Sequence, residues 1–296
     1  MALQAITLQA EHPVKLTHPD KLLFDEPPTT KLEYAHYLIK VAPNMIKHLR
    51  DRRITLVRCP EGVMGERFYQ RHILPGGPEW LQSVVGEEEK EEIVIPDIAT
   101  LLYYANLGAI EFHATISHLG SQSSRTLSFD LDPSTSDFEP VREVALHLRD
   151  VLSGLGLNSI VKTSGASGLQ VFVPLSEEVP FTETKLLVTF IAKYMEQSWP
   201  KLVTTARLVR ERGSKVYVDA PQHGKTKTLI AHYSVRATPQ ATVSTPLFWH
   251  ELENGAKPTD FTIRNVPDRL LKIGDLFAST EPSSARPVVK LLQEKQ

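Results

Sequence analysis

Apolar residues recur along this chain in two rhythms. Leu32, Tyr34, Leu38 and Met45 fall at helical spacing behind Thr30-Lys-Leu-Glu33. In that pattern Thr and Glu side chains cap each other's backbone N–H groups, so a helix is predicted to begin there, with Pro43 able to kink it. Residues 54–59 and 67–72 read as a strand pair joined by the turn-rich Pro60-Glu-Gly-Val-Met-Gly65. Residues 98–106 read as a short helix feeding a strand at 109–115. A strand through 125–132 follows, then a helix at 138–152 with Gly154 as its stop. Strands at 159–163 and 169–174 flank the tight turn Ser164-Gly-Ala-Ser-Gly168. The stretch 182–198 is predicted helical, with an apolar stripe of Leu186, Val188, Ile191 and Tyr194. Strands at 215–219 and 228–233 come next. Beyond Ala237 the chain is Pro-rich and reads as irregular packing plus a helix at 268–277.

Strands alternating with helices, without βαβ regularity, predict an α/β or α+β fold with mixed sheets flanked by helices. The 296 residues suffice for one large domain or two small ones, and no repeat or low-complexity linker divides them. The expectation is a single unit of two lobes around an active-site cleft, roughly 1–105 and 106–296.

Composition narrows the setting. A single cysteine, Cys59, cannot form an internal disulfide and fits a reducing compartment. The start lacks a basic segment followed by a long apolar run, and no stretch reaches membrane-spanning length, so a cytoplasmic protein is expected. A net charge of −2 argues against a generic nucleic-acid coat. Its distribution says more. The run Glu87-Glu88-Glu89-Lys90-Glu91-Glu92, read as a loop, gathers negative charge. Residues 47–71 and 201–227 are locally basic, which leaves room for a basic groove.

The chemistry concentrates in Arg125-Thr-Leu-Ser-Phe-Asp-Leu-Asp-Pro133. Side chains alternate across a strand, so Asp130 and Asp132 share one face while Leu127, Phe129 and Leu131 supply the other. Neighbouring like charges are costly unless a cation joins them, and a divalent ion held by hard oxygen ligands is the simplest such cation. Asp219, ending the run Lys215-Val-Tyr-Val-Asp219, is a candidate third carboxylate. Three carboxylates at strand ends can hold two ions for in-line phosphoryl transfer. The turn Thr163-Ser-Gly-Ala-Ser-Gly168 can present backbone N–H groups and the Ser164 hydroxyl to a phosphate, or serve simply as a glycine-dependent hairpin.

The order Phe-Asp-Leu-Asp-Pro, Lys-Thr-Ser-Gly-x-x-Gly-Leu, Val-Tyr-Val-Asp and Ala-His-Tyr-Ser-Val-Arg-Ala-Thr-Pro resembles the polymerase domain of bacterial ATP-dependent DNA ligase D. That domain belongs to the archaeo-eukaryotic primase superfamily. The resemblance runs from Leu16-Thr-His-Pro-Asp-Lys21 to Thr262-Ile-Arg-Asn-Val-Pro267 and implies a primase-type catalytic fold. It implies that Asp130, Asp132 and Asp219 bind two Mn2+ or Mg2+ ions. His113, Ser164 and Arg236 would then meet the nucleotide phosphates or sugar, and Gln222 would lie near the sugar, where a 2′-hydroxyl contact favours ribonucleotides. Phe68-Tyr69-Gln-Arg71 resembles Phe-Phe-Gln-Lys of the family, whose aromatics stack on bases while the basic residue meets phosphate. As core residues instead, only one of Phe68 and Tyr69 could face inward. Arg58 joins the expected DNA contacts, and Lys21 and Lys31 match lysines holding a 5′-phosphate across a gap.

Two departures stand out. Ala166-Ser-Gly-Leu-Gln170 replaces the family's Gly-Lys-Gly-Leu-His, so Ser167 and Gln170 stand where a phosphate-facing lysine and a histidine are usual. The implied activity is template-directed nucleotidyl transfer from NTP or dNTP, filling gaps in non-homologous end joining. These residues hold no Lys-x-Asp-Gly ligase motif, so a ligase acting in trans, together with the end binder Ku, is expected as a partner. The alternatives are a weakened DNA-end-binding module and a metal-dependent phosphodiesterase or nuclease.

Overall fold

The capping box forms. Thr30 Oγ1 accepts from the Glu33 N–H at 3.2 Å, and Glu33 Oε2 accepts from the Thr30 N–H at 2.7 Å. They start the helix Lys31–Leu49, which buries Tyr34, Leu38, Val41 and Met45 and carries Pro43 inside it. In this computed structural model, residues 5–86 and 89–294 are described. The chain divides into two compact units, each built from non-contiguous stretches. One gathers the chain as far as Thr115 with Thr228–Ser244 and Thr259–Gly274. The other gathers Ile116–Lys227, Thr245–Pro258 and the chain from Asp275 onward.

The first unit centres on an antiparallel sheet of Thr228–Ile230, Ala109–Thr115, Ile54–Arg58 and Phe68–Gln70, in that order. Buried hydroxyls anchor the long helix to this sheet and to the segment that follows its edge strand Thr228–Ile230. Tyr34 donates to the Ala109 carbonyl at 3.0 Å and Tyr37 to the Tyr233 carbonyl at 2.6 Å. The helix Ile98–Asn106 begins at Asp97, whose side chain accepts from the Thr100 N–H. Two N-terminal hairpins, Ala5–Leu8 with Val14–Thr17 and Leu22–Asp25 with Pro28–Thr30, carry no alternation long enough to announce them. Of the acidic run, Glu87 and Glu88 lie outside the described residues. Glu91 and Glu92 open a strand, Glu91–Ile93, paired with Ser83–Val85, so the expected loop is in part a hairpin.

The second unit is built on a six-stranded mixed sheet. Its order is Val203–Thr204, Val216–Val218, Ser123–Asp132, Leu169–Pro180, Ile160–Thr163 and Pro246–Leu247; only the first pair is parallel. Leu127, Phe129 and Leu131 are fully buried, the face that period-two alternation assigns to the core. The helices Glu139–Gly154 and Phe181–Ser198 occur where expected.

Three local expectations need correction. The buried face of helix Phe181–Ser198 is Thr184, Leu187, Val188, Ile191, Ala192 and Met195, whereas Tyr194 is 46% exposed. The apolar pattern admitted two neighbouring stripes, and packing selected the one continued by Ala192 and Met195. The predicted helix 268–277 is instead Val266–Ile273, ended at Gly274 with a positive φ of 71°, and a separate turn of helix at Leu276–Ser279. The strand expected at 215–219 is Val216–Val218; Asp219 instead caps a 3-10 turn, Ala220–Gln222. Among the described residues no helix is long and apolar enough to cross a membrane.

The helix face can be checked by urea unfolding. Leu187→Ala should cost about 3 kcal/mol by opening a core cavity. Tyr194→Ala should cost about 0.5 kcal/mol or less.

Candidate active site

Asp130 stands in the middle of a row across the second unit's sheet. Gln170 pairs with Asp130 in register on one side and with Lys162 on the other, while Asp132 pairs with Tyr217. Gln170 Nε2 donates to Asp130 Oδ1 at 3.1 Å. The Asp219 N–H donates to the Asp130 carbonyl at 2.9 Å, which holds the third carboxylate's backbone against the same strand. Asp219 in turn uses Oδ1 to accept from the Gln222 N–H at 3.1 Å.

Asp130 is only partly exposed, and the protein packed around its carboxylate desolvates it. That desolvation, then the charge of Asp132, and further Asp219, push its pKa up to about 7 against the opposing Gln170 hydrogen bond and Lys162 charge. The carboxylates therefore act on one another electrically. Among the described residues, no group of three or more His, Cys, Asp or Glu forms a ready-made metal site. The donor set still fits a divalent cation: hard carboxylate oxygens, mutually repelling, with Asp130 holding its negative charge only at a cost. Beside it, Gln170 is 3% exposed and its Oε1 has no hydrogen-bond partner. Gln170 thus does more than stand in for another residue, because it orients Asp130 from the neighbouring strand.

The Ser164–Gly168 turn lies at the end of the same strands. Ser164 Oγ accepts from the N–H groups of Ala166 and Gly168 at 3.2 and 3.1 Å, and the Ser164 N–H donates to the Gly168 carbonyl. Two of the amides read as a phosphate cradle are therefore occupied by Ser164 itself, whose O–H remains a donor. Gly168 is required by a close approach, since a Cβ there would stand 2.6 Å from the Leu131 carbonyl oxygen between the two aspartates. Ser167 is exposed at the tip of the turn.

In the first unit, Glu111 organises the residues singled out from sequence. His113 Nε2 lies 2.7 Å from Glu111 Oε2, Arg236 Nη1 donates to the same oxygen at 3.0 Å, and the Ala237 N–H donates to Oε1 at 3.0 Å. Burial pushes the Glu111 pKa up, but the His113 hydrogen bond and the Arg236 charge outweigh it and hold the carboxyl below its ordinary range. Glu111 has no role among the residues expected from sequence. The available signal was Glu-x-His on one strand, which puts both side chains on one face.

The expected DNA-contacting residues divide. Phe68 is 41% and Tyr69 77% exposed on a three-residue strand, so neither is core. Arg58, by contrast, is buried: Nε and Nη2 donate to the Leu107 carbonyl, Nη1 donates to Gln70 Oε1, and the guanidinium lies 4.9 Å from the Phe68 ring centroid. It supports Phe68 from below. Arg71 and Arg53 both pair with the buried Glu92, at 2.5 and 2.6 Å. Lys31 is buried and its Nζ donates to the Thr17 carbonyl at 2.8 Å. Burial, then Lys21, lower its pKa to about 8, and Lys21 itself pairs with Glu61 at 2.8 Å.

Comparison with known proteins fixes the family. The family described as LigD, primase-polymerase domain, matches residues 30–277. The chain belongs to the LigD primase-polymerase family. It is 34% identical over 291 residues to the bifunctional non-homologous end joining protein LigD of Bacillus subtilis, covering 96% of this chain and 48% of that protein. It is also 34% identical to the multifunctional LigD of Mycolicibacterium smegmatis, covering 90% of this chain and 36% of that one. The chain thus spans half or less of these LigD relatives. The polymerase domain from Mycobacterium tuberculosis Ligase D, solved in complex with DNA, superposes with a TM-score of 0.82 at 31% identity, covering 89% of this chain and 96% of that one. The primase-type mixed fold expected from sequence is therefore the fold of this LigD-family chain.

The raised Asp130 pKa has a signed consequence for metal-free protein. Above about pH 4 the unfolded chain loses this proton while the fold retains it to about pH 7, so the group destabilises the fold increasingly across that window. Asp130→Asn should therefore match wild type at pH 4 and exceed it at pH 8 by on the order of 2 kcal/mol, a few degrees in Tm. Thermal melts in chelator at both pH values check this.

Proposed function

We propose that this chain is a template-directed nucleotidyltransferase that fills gaps at DNA breaks in non-homologous end joining. The observation that carries the reading is the electrically coupled Asp130–Asp132–Asp219 set beside the Ser164 turn, in a chain of the LigD primase-polymerase family. Asp130, Asp132 and Asp219 would hold two divalent ions, Mn2+ or Mg2+. When bound, such ions supply activation of a primer 3′-hydroxyl and neutralisation of the charge on departing pyrophosphate.

The protein's own groups divide the remaining work. Gln170 holds the Asp130 carboxylate in orientation. The Ser164 hydroxyl donates to the triphosphate while its oxygen keeps the turn closed. Glu111 fixes one Arg236 nitrogen and leaves the rest of the fork for phosphate, the geometry that suits a planar guanidinium. The same carboxylate sets the His113 ring. Gln222 would meet the sugar and favour ribonucleotides. Exposed Phe68 and Tyr69 offer stacking surfaces, Arg71 adds a cation beside them, and Arg58 acts through Phe68. Lys21 and Lys31, the latter with its pKa lowered by burial and then by the Lys21 charge, would take the 5′-phosphate of the downstream strand. Ku and a DNA ligase activity would complete the repair.

Primer extension on a gapped duplex with a 5′-phosphate, with Mn2+ and either NTP or dNTP, tests this directly. Wild type should extend, and more readily with NTP. Asp130→Ala and Asp132→Ala should lose at least 100-fold in rate yet keep 5′-phosphate binding, whereas a Lys21→Ala/Lys31→Ala variant should lose the preference for 5′-phosphate. Binding without extension by wild type would leave only an end-binding module, and Mn2+-dependent degradation would make it a nuclease.

A further inference from the structure

Asp219 belongs to a sharp arch with both feet on the aspartate strand. At one foot its own N–H donates to the Asp130 carbonyl at 2.9 Å. At the other, His223 Nδ1 lies 2.9 Å from Ser128 Oγ. Between them runs the 3-10 turn Ala220–Gln222, closed by the Gln222 N–H on Asp219 Oδ1 and by the His223 N–H on the Ala220 carbonyl at 3.0 Å. Ser128, Asp130 and Asp132 alternate onto one face of their strand, so both feet grip the stretch that carries the carboxylates.

The imidazole is poorly suited to being mere filler. His223 is fully buried against the Phe181 ring, at 5.7 Å between centroids, and its Nε2 has no hydrogen-bond partner. A buried unsatisfied ring nitrogen is costly, and an apolar side chain of similar bulk would avoid that cost. What His223 offers that an apolar residue cannot is the nitrogen facing Ser128. Burial, then the charge of Lys185, lowers its pKa to about 4, so the ring is neutral and adds no positive charge beside the aspartates.

We propose that the buried Ser128–His223 hydrogen bond is a clasp that positions Asp219 against Asp130 and Asp132, making His223 a positioning residue of the carboxylate centre. Its consequence for catalysis rests on the metal-dependent reading above; the placement of Asp219 does not. Loss of the clasp frees one foot of the arch, and the Asp219 amide then opens more often.

Amide hydrogen exchange, resolved by NMR on the full chain, tests this in Ser128→Ala, His223→Leu and His223→Asn. Leucine keeps bulk without a hydrogen bond, and asparagine returns a polar atom near the Nδ1 position. Ser128→Ala and His223→Leu should lower protection at Asp219 tenfold or more while the paired amide of Phe129 stays protected. His223→Asn should restore it. Mn2+ affinity should weaken about tenfold in the same two variants. Unchanged Asp219 protection, or an equal loss at Phe129, overturns the clasp. Selective loss at Asp219 with no Mn2+ binding even by wild type overturns the metal reading and leaves the clasp standing.

Discussion

Two carboxylates on one face of one strand, two residues apart, repel each other wherever the chain folds, and the surrounding structure is arranged around that repulsion. Asp130 carries the cost in its pKa, raised to about 7 by desolvation and by Asp132 and Asp219. The neighbours each offset or fix part of it. Gln170 donates to Asp130 from the next strand, Lys162 sits one strand further with a compensating charge, and Gly168 lets the hairpin turn approach the Leu131 carbonyl to a distance no other residue permits. A divalent cation is the group for which such an arrangement is complementary rather than strained.

The first unit shows the opposite device, a carboxylate used as an organiser. Glu111 stays ionised despite burial because His113 and Arg236 both converge on it. One acid thereby sets the direction of two side chains that would otherwise be free to rotate. Glu92 does the same for Arg53 and Arg71, and Gln70 with the Leu107 carbonyl does it for Arg58. In each case a flexible cationic side chain loses its rotamer freedom in the fold, before any ligand is bound.

Much of this was legible in the sequence because it rests on short-range rules. The Thr30–Glu33 capping box, the helix Ile98–Asn106 and the alternation of Leu127, Phe129 and Leu131 against Asp130 and Asp132 follow from local geometry alone. What the sequence concealed depends on partners distant along the chain. Helix Phe181–Ser198 could bury either of two adjacent stripes, and only its tertiary neighbours choose. Arg58 reads as a free cation until Leu107, nearly fifty residues on, takes two of its nitrogens. Glu111 and His223 owe their roles to Arg236 and Ser128, separated from them by 125 and 95 residues. Gln170 was legible as a departure from the family pattern, but only its cross-strand register gives that departure a physical task.

On the proposed function, Asp130, Asp132 and Asp219 act as a single cation-binding unit. Titration of Mn2+ followed by electron paramagnetic resonance, on wild type and on Asp130→Asn, Asp132→Asn and Asp219→Asn, tests it without any need for turnover. Wild type should bind, and each substitution should weaken binding at least tenfold, Asp219→Asn included. Wild-type affinity in the Asp219→Asn protein would contradict it.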